Sequence, residues 1–451
     1  LPRVLARLSS HGALDALLAQ IDHPNEALRQ KVLASASRLR LALRAPPAPL
    51  RRIRACIDDE TVEHVRTREA YIAARPRVAG PLLDQHLLRR LRKGIIRVLR
   101  LCELAYPREV VALVRTHVFG PDPALRANAF EVLESLLDRP LRERLVSLVE
   151  RLLALSAEFP RRPMPPEASA VAWIRGELTR GEPYSAALAL DAVARRAISG
   201  AAADALAATW DPDPLVREAA AIAIAVTAPP GAAERLAALR ADEDPAVARY
   251  ARYWAVTGGT GIDPEDEMYT TIEKVLFLQR VPLFSRVAGD DLVALARGSL
   301  VVSLARGDVI FRQGEPGGAL YSIISGEVSL TLDGREIARL GANDVFGEMS
   351  LFDSEPRGST AVVTEDAELL RVSAEDFHEA VRETAEIADA VIRVLNRRLR
   401  EADRKLADAH ARLSLLPKPP QLPSRAPPQL PSRAPPPSDE EAPALDDSDL
   451  D

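Results

Sequence analysis

The distribution of hydrophobic and polar positions changes once along the 451 residues, near residue 260. Residues 1–258 show almost no strand-like alternation, and runs of small and aliphatic side chains predict one helix after another. Residues 299–372 break instead into short stretches between glycine turns, which is typical of strands in a β-roll or jelly-roll barrel. The predicted fold class is multidomain: an all-α N-terminal part and a C-terminal β-roll with flanking helices.

A recurring mark predicts where several helices begin. Asp comes shortly before or next to Pro in residues 22–24, 122–123, 213–214 and 244–245, and these residue types suit a helix N-cap and first turn. The second and third marks are 91 residues apart and the last two are 31 apart. Period and motif resemble HEAT-type repeats, in which antiparallel helix pairs stack into a curved solenoid, and about seven to nine units would fit.

Breaks in this pattern mark the loops and linkers. The proline-rich residues 159–166 predict a long loop within the helical array, and the glycines of residues 258–261 predict its end. Residues 263–267 then predict the start of a helix that ends at residues 281–284, and residues 289–292 predict the start of the next.

These breaks divide the chain into four parts. The last is proline-rich with an acidic end, which cannot bury a core and is predicted to be disordered; a proline-rich ligand for a small adaptor domain is the alternative. The predicted parts are 1–258, a HEAT-like solenoid; 259–298, a helical lead-in; 299–413, the β-roll with C-terminal helices; and 414–451, the tail.

Composition excludes several classes of protein. Of the 59 basic residues, 54 are Arg, which fits a GC-rich genome, and the net charge of −6 argues against a general nucleic-acid binder. Cys56 and Cys102 have no Cys or His at ligand spacing and are predicted to be reduced packing thiols of a cytosolic protein, without a metal. No apolar run approaches the ~18 residues of a membrane span, and no signal peptide is visible.

Residues 346–357 carry the candidate chemistry, because they place one carboxylate, Glu348, nine residues before one guanidinium, Arg357. Arg can hold a compact anion such as a cyclic phosphate through two parallel charge-assisted hydrogen bonds, and a carboxylate can accept from a ribose 2′-OH. The segment resembles the phosphate-binding cassette of the cyclic-nucleotide-binding domain family. Residues 307–315 and 320–328 resemble that family's strands and glycine turns, and the resemblance runs from about residue 277 to 405.

The resemblance implies a role for each cassette position. Arg357 would hold the cyclic phosphate and Glu348 the ribose hydroxyl, with the phosphate near a helix N-terminus. Backbone N–H groups of Gly347, Ser350 and Gly358 would complete the cradle, and Phe346 would pack beneath the turn. The candidate binding residues are Gly347, Glu348, Met349, Ser350, Arg357, Gly358 and Ser359.

The chain departs from the family pattern at three positions. Gly358 stands where members that prefer cGMP often have Thr, which favours cAMP over cGMP, although Ser359 or Thr360 could still supply a hydroxyl. Gly318 replaces an acidic residue that usually neighbours the phosphate-binding Arg, so any relay through that residue is in doubt. Asn343 replaces a turn glycine, and Asn tolerates the left-handed backbone that such a turn needs.

The family's last helix closes over the base, which implies a similar lid here. Within residues 391–400, the side chains that could cap the base are Val394, Leu395, Arg397 and Arg398, and the sequence does not choose among them. Alternating Arg and Glu in residues 400–405 fit either an extended exposed helix or a coil that forms a homodimer.

No catalytic constellation is visible, so we expect a regulatory protein and not an enzyme. The leading hypothesis is a cyclic-nucleotide sensor that passes a conformational change to a protein partner or a fused effector through the helical repeats. A ligand-free interaction protein that works through the solenoid is the alternative, and a regulatory subunit that controls an enzyme in trans is a third.

The order of HEAT-like repeats followed by a cyclic-nucleotide domain resembles cytosolic tails of bacterial transporter-like proteins related to ATP/ADP carriers. The chain begins with Leu1 inside a predicted helix, so we expect it to be a piece of a longer protein. The expected location is cytoplasmic, at the cytosolic face of a membrane if a membrane module precedes it.

Overall fold

Helices occupy the first part of the chain and an antiparallel sheet the second, as the change in hydrophobic pattern predicts. The computed structural model describes residues 2–8, 10–160, 162–257, 269–351 and 356–414. The predicted glycine break at residues 258–261, the helix start at 263–267 and the tail from residue 415 lie outside the described residues.

The N-terminal helices bury aliphatic residues at helical spacing. In the helix that spans Pro81–Ala105, Leu83, Leu87, Leu91 and Ile95 recur every fourth position and are all buried. The helices of this region are α1 (Pro2–Arg7), α2 (His11–Leu18), α3 (Glu26–Ala42), α4 (Leu50–Val78), α5 (Pro81–Ala105), α6 (Arg108–His117), α7 (Pro123–Leu136), α8 (Arg139–Ala157), α9 (Glu167–Leu178), α10 (Pro183–Arg196), α11 (Ala202–Ala208), α12 (Pro214–Thr227), α13 (Ala232–Leu239) and α14 (Pro245–Thr257).

Three of the four predicted helix starts are confirmed. Asp122 and Asp213 are the N-caps of α7 and α12, and the Asp244 carboxylate accepts from the backbone at the start of α14. The first mark is wrong in detail: Asn25, not Asp22, caps α3, because its side chain accepts from the Leu28 N–H at 2.9 Å.

Small side chains allow neighbouring helices to approach closely. α10 and α12 pack directly against each other, and both bury alanines, among them Ala187 and Ala220. α4 alone spans 29 residues, close to the whole of a 31-residue unit that should hold two helices. The helical region is therefore established, while its assignment to HEAT-like repeats stays a prediction.

The proline-rich loop and the second lead-in helix agree with the sequence prediction, but the first lead-in helix begins later than the predicted residues 263–267, because Tyr269 and Thr270 are not helical. α8 ends at Ala157 and α9 begins at Glu167, so the proline-rich stretch between them is a loop in its described residues. In the lead-in, the described helix begins at Thr271, where Thr270 and Glu273 form a capping box, and ends at Arg280. The second lead-in helix begins at Gly289 as expected.

The sheet of the described residues is antiparallel, with strand order β1-β6-β3-β4, while β2 pairs with β6 and β5 with β3. Its core includes Phe311, Ile323, Val328, Phe346 and Leu369. The elements of this part are α15 (Thr271–Arg280), α16 (Gly289–Gly298), β1 (Leu300–Leu304), β2 (Val309–Phe311), β3 (Ala319–Leu332), β4 (Arg335–Leu340), β5 (Val345–Phe346), β6 (Thr360–Ser373), α17 (Ala374–Glu383) and α18 (Ala385–Ser414).

Turn residues adopt the conformations that their types favour. Asn343 has φ +72°, the left-handed conformation expected of it. Ser373 caps α17 by accepting from the Asp376 N–H at 3.1 Å. In a capping box, the side chain three residues after the cap would accept from the backbone N–H of the cap residue. Here the Asp376 carboxylate accepts from the Ser373 hydroxyl instead.

Residues Leu1–Val394 form one compact unit, and the division from residues 395–451 falls within α18. Within the first unit, polar contacts join the helical region to the lead-in helices. The Thr271 N–H donates to Glu218 of α12 at 3.0 Å, and Asp290 of α16 lies 3.8 Å from Arg89 and 3.6 Å from Lys93 of α5. No helix within the described ranges is both long and apolar enough to cross a bilayer.

A substitution at Gly326 tests how closely β3 and β6 approach. Gly326 has φ +83°, and a Cβ there would overlap the Asp366 carbonyl oxygen and lie 2.6 Å from the Ala367 Cα. Strain and overlap together should destabilise the sheet by about 2–4 kcal/mol in Gly326→Ala. The measurement is hydrogen–deuterium exchange of β3 and β6 amides, which should become faster.

Gly334→Ala is the matched control for that experiment. Gly334 has φ +78°, but no atom of the described residues lies within 4 Å of an added Cβ. The control should lose only about 1 kcal/mol from backbone strain. Equal exchange rates in the two variants would contradict the proposed close approach.

Candidate functional site

The cassette begins at the end of β5 and turns sharply at Gly347. This residue has φ +76°, and the following Glu348–Leu351 form a short 3₁₀ helix. Residues 352–355 lie outside the described part of the chain, and the cassette resumes at Pro356 and Arg357 before β6 begins. The helix that the resemblance implies for phosphate binding is thus one short turn in its described residues.

The Arg357 side chain is buried, with 7% of its surface exposed. Its Nη1 donates to the Gly347 carbonyl at 3.1 Å, and its Nη2 donates to the Ala319 carbonyl at 2.9 Å. The guanidinium carbon also lies 4.1 Å from the centre of the Phe311 ring, within cation–π distance. Hydrogen bonds and an aromatic face therefore replace part of the water that this cation has lost.

The backbone of Arg357 is fixed as firmly as its side chain. The Arg357 N–H donates to the Glu315 carbonyl at 2.8 Å, and the Gly314 N–H donates to the Arg357 carbonyl at 2.8 Å. These two bonds tie the end of the cassette to the turn between β2 and β3. The position of the guanidinium is therefore set from both ends of the residue.

Three aromatic rings form a platform under the turn. Tyr321 and Phe346 stack with ring centroids 5.4 Å apart, and Phe311 lies 6.1 Å and 5.9 Å from them. Phe346 is buried, as the resemblance implies for a residue that packs beneath the cassette. Phe311 and Phe346 belong to the hydrophobic core of the sheet, so the platform anchors Arg357 to that core.

Burial is the main influence on the Arg357 pKa, which it lowers from the ordinary value for Arg. Tyr321 and Glu315 raise this pKa, while Arg371 lowers it further. The charged form is thus less stable here than in water. An anion placed beside the guanidinium would offset that loss, which is the electrostatic condition for an anion site.

The remaining candidate residues differ in exposure. Glu348 is half-buried at the start of the 3₁₀ helix. Gly347, the residue before Glu348, accepts the hydrogen bond from the Arg357 guanidinium. Met349 is 61% exposed and Gly358 is exposed, while Ser359 is half-buried. The Ser350 side chain lies outside the description.

Selectivity and lid residues are placed only in part. The Thr360 hydroxyl accepts from the Gln313 N–H at 2.9 Å, so part of its hydrogen-bonding capacity is used within the protein. The structure gives the helical backbone of α18 through the predicted lid positions. The side chains of the four candidate capping residues, Val394, Leu395, Arg397 and Arg398, are among those outside the description.

Sequence reasoning missed two partners of Arg357. Ala319 contributes a backbone carbonyl, which its residue type does not announce, and it lies directly after Gly318, where the usual acidic neighbour is absent. Phe311 contributes its ring face. Of these two partners, only Phe311 could have been found from the sequence, because it lies within residues 307–315, which resemble a strand and glycine turn of the family.

Comparison with known proteins agrees with this geometry. Residues 301–384 match the family described as Cyclic nucleotide-binding domain. The C-terminal part of the chain therefore carries a cyclic nucleotide-binding domain. This match extends over the sheet, the cassette and α17, and it does not extend to the helical N-terminal region.

Relatives of this domain carry the names of cAMP-responsive regulators. The CRP-like cAMP-activated global transcriptional regulator of Mycobacterium tuberculosis is 36% identical over 136 residues, which is 29% of this chain and 61% of that protein. The cyclic AMP receptor protein of Thermus thermophilus is 44% identical over 131 residues, 28% of this chain and 60% of the relative. The chain thus spans about three fifths of the length of these relatives.

A solved structure and a channel are also similar in this region. The crystal structure of the Thermus thermophilus catabolite activator protein has 39% sequence identity, covers 29% of this chain and 63% of that chain, and gives a TM-score of 0.26. A cyclic nucleotide-gated potassium channel of Rhizobium etli is 30% identical over 138 residues, 31% of this chain and 39% of the relative.

A methyl group at Gly347 should disturb the guanidinium directly. A Cβ there would lie 2.6 Å from Arg357 Nη1 and 3.0 Å from the Ala319 carbonyl oxygen, and φ is positive. Gly347→Ala should therefore displace the Arg357 side chain and weaken cyclic-nucleotide binding by roughly tenfold or more, since one charge-assisted hydrogen bond is worth that much. Titration calorimetry of the whole chain measures the affinity.

Gly341→Ala is the control for this experiment, because Gly341 lies in the preceding turn and an added Cβ meets no described atom within 4 Å. The affinity of this variant for cyclic nucleotide should stay within about twofold of that of the unmodified chain, which is far less than the effect of losing one hydrogen bond. An equal loss in both variants would show that general loosening of the turn, and not displacement of Arg357, governs binding.

Proposed function

We propose that this domain binds cAMP, in preference to cGMP, as a regulatory ligand and passes the binding event to the helical region. The observation that carries the proposal is the buried Arg357 guanidinium beside the turn that bears Glu348. Taking a cation out of water is costly, and the charged oxygens of a bound phosphate would offset part of that cost.

The ligand would accept hydrogen bonds from the Arg357 guanidinium, whose N–H groups now donate to backbone carbonyls. The cyclic phosphate offers charged oxygens, which form stronger hydrogen bonds to a guanidinium than the neutral carbonyls of Gly347 and Ala319. Glu348 would accept from the ribose 2′-OH. The backbone N–H groups of Gly347, Ser350 and Gly358 would complete the cradle, with Met349 and Ser359 along its rim.

Preference for cAMP rests on Gly358. Without a side chain, this position offers no hydroxyl to the amino group of guanine. The space beside it is open, since an added Cβ would meet nothing described within 4 Å. The lack of a hydroxyl, and not lack of room, would therefore set the preference.

Coupling to the helical region is supported by contacts at the lead-in helices. The Lys274 ammonium of α15 donates to the Ser299 carbonyl at 2.7 Å, just before β1, and Arg297 of α16 pairs with Asp244 at the start of α14. Tyr269 donates to Glu368 of β6 at 2.8 Å. Because these residues join the sheet to both lead-in helices and to α14, a movement of the domain would reach the helical region.

A ligand-free interaction protein is the second candidate function. One observation favours it: two carbonyls and an aromatic ring already stabilise Arg357, so the residue could serve a purely structural role. In that case the helical region would be the working surface. Regulation of a separate enzyme by this chain is compatible with the sensor proposal and differs from it only in the partner.

We further propose that this chain is the cytosolic part of a larger protein, and that the larger protein is related to bacterial transporters. This part rests on the order of helical region and cyclic-nucleotide domain. Sequencing the reading frame upstream of Leu1 tests it, and a run of membrane-spanning segments there is the expected result.

Removal of Arg357 separates the two candidate functions. If the residue holds the phosphate, Arg357→Ala should weaken cAMP binding by roughly ten- to several-hundred-fold, because it removes two charge-assisted hydrogen bonds. Titration calorimetry with cAMP and cGMP is the measurement. Arg339→Ala is the matched control: Arg339 is an exposed arginine of the same sheet that pairs with Glu327 and Glu336, and its loss should leave affinity unchanged.

The outcome that would sink the sensor proposal is an absence of binding heat with either nucleotide in the unmodified chain. A bound nucleotide whose affinity does not respond to Arg357→Ala would instead refute the assigned role of this residue. Circular dichroism of each variant confirms that the fold is retained.

A threonine at position 358 should change nucleotide preference. Its hydroxyl can reach the guanine amino group if the base lies as proposed, so Gly358→Thr should shift the cGMP-to-cAMP affinity ratio toward cGMP by about two- to tenfold, the value of one hydrogen bond. Gly358→Val has the same shape without the hydroxyl and should not produce the shift. Competition binding of both nucleotides to the three proteins gives the ratios, and equal shifts in Thr and Val variants would contradict the hydroxyl mechanism.

A further inference from the structure

A groove of about 490 Å³ lies in the helical region, away from the residues of the cyclic-nucleotide domain. Its walls come from α4, from α8 and from the segment that follows α8. Arg68 and Ile72 of α4, Ala154 and Leu155 of α8, and Phe159 of the following segment are among the lining residues. A volume of this size is within the range of small-molecule binding sites, which are mostly apolar with a few polar groups.

Arg68 is the polar group buried at this groove. Only 7% of its surface is exposed, and its Nη2 pairs with the Glu69 carboxylate. Its Nε makes no hydrogen bond to any of the described residues. That N–H is closed off from solvent, so a ligand in the groove would meet the terminal nitrogens of the Arg68 guanidinium, and an acceptor there would offset part of the cost of burying this cation.

Phe159 gives the groove a fixed aromatic wall. Its ring lies edge-on to Tyr71 at 6.2 Å between centroids, and the Arg75 guanidinium carbon lies 4.2 Å from its centre. Arg75 is held in turn by two hydrogen bonds of 2.8 Å to Asp84, which also accepts from Tyr71. The proline-rich loop that interrupts the helical array therefore places a rigid apolar surface at this point.

The charges around the groove are arranged by depth. Arg68 lies inside, while Arg151 and Glu158 are exposed at its rim and the Glu69 carboxylate is half-exposed. His64, which interacts with Arg68, stays neutral near pH 7, because burial first and then Arg68 and Arg97 lower its pKa to about 4. The charge inside the groove is thus the Arg68 guanidinium, which pairs with the half-exposed Glu69 carboxylate, while the Glu158 side chain of the lining is exposed.

From this arrangement we infer that the groove binds a small carboxylate with an apolar body, with the carboxylate on Arg68 and the apolar part against Ile72, Leu155 and Phe159. A purely apolar ligand would offer no acceptor to the buried Arg68 guanidinium, and an inorganic anion would leave the apolar walls exposed. The site lies on different elements from the cyclic-nucleotide domain, so it stands or falls independently of the function proposed above.

The test compares octanoate with 1-octanol, two probes with the same apolar chain and different head groups, by saturation-transfer NMR titration of the whole chain. We expect octanoate to bind at least tenfold more tightly than 1-octanol. Arg68→Met, which keeps the apolar stem, should weaken octanoate binding at least tenfold and leave 1-octanol unaffected. Equal affinities of the two probes for the unmodified chain, or no saturation transfer to either, would overturn the proposal.

A second pair of variants covers the case in which loss of Arg68 unfolds the helices. Ala154 is exposed and lines the groove, so Ala154→Phe should fill it and abolish octanoate binding while cAMP affinity is retained. Ala157 is an exposed alanine of the same helix that is not part of the lining, and Ala157→Phe should bind octanoate as the original does. Unchanged octanoate binding in Ala154→Phe would place the ligand elsewhere and refute the site.

Discussion

The buried guanidinium of Arg357 is the interaction on which the cassette end of the sheet depends. A cation taken out of water is stable only where other groups replace its hydration. Here the carbonyls of Gly347 and Ala319 and the face of Phe311 do so. Because Gly347 precedes the 3₁₀ helix and Ala319 begins β3, one side chain fastens the cassette to the sheet.

The same interaction sets the conditions for a ligand. Burial lowers the Arg357 pKa, so the charged side chain is held at a free-energy cost relative to water. Neutral carbonyls offset only part of that cost, and a phosphate offsets more, since hydrogen bonds between ionised groups are about twice as strong. The stability of the cassette without ligand and its proposed affinity for an anion thus arise from the same residue.

Features decided by a residue and its nearest neighbours could be predicted from the sequence. Asp122 and Asp213 act as N-caps because a short acceptor before a helix bonds the next free N–H groups. Asn343 adopts the left-handed turn because its side chain tolerates that backbone. Where two possible caps lie three residues apart, as Asp22 and Asn25 do, the pattern alone does not decide between them, and Asn25 is the cap of α3.

Features decided by contacts distant in sequence could not be predicted. The partnership of Arg357 with Ala319 exists because β3 pairs with β5 and β6, which brings the start of β3 beneath the cassette. No side chain at position 319 signals it. The length of α4 is a similar case: a 29-residue helix that contains Pro76 is stabilised by buried contacts along its length, which a search for 31-residue units does not detect.

The rigidity of the sheet limits how a bound ligand could be sensed. Moving the Ala319 carbonyl would break backbone bonds between β3 and β6, whereas the 3₁₀ helix and α17 lie outside the sheet and contact each other. α17 in turn packs against the lead-in, with Phe377 and Phe284 rings 6.4 Å apart, and α16 there is paired through Asp290 with α5. If the domain passes ligand binding to the helical region as proposed, α17 and the lead-in helices offer a route that lies outside the sheet, beside the direct contacts between the sheet and the lead-in.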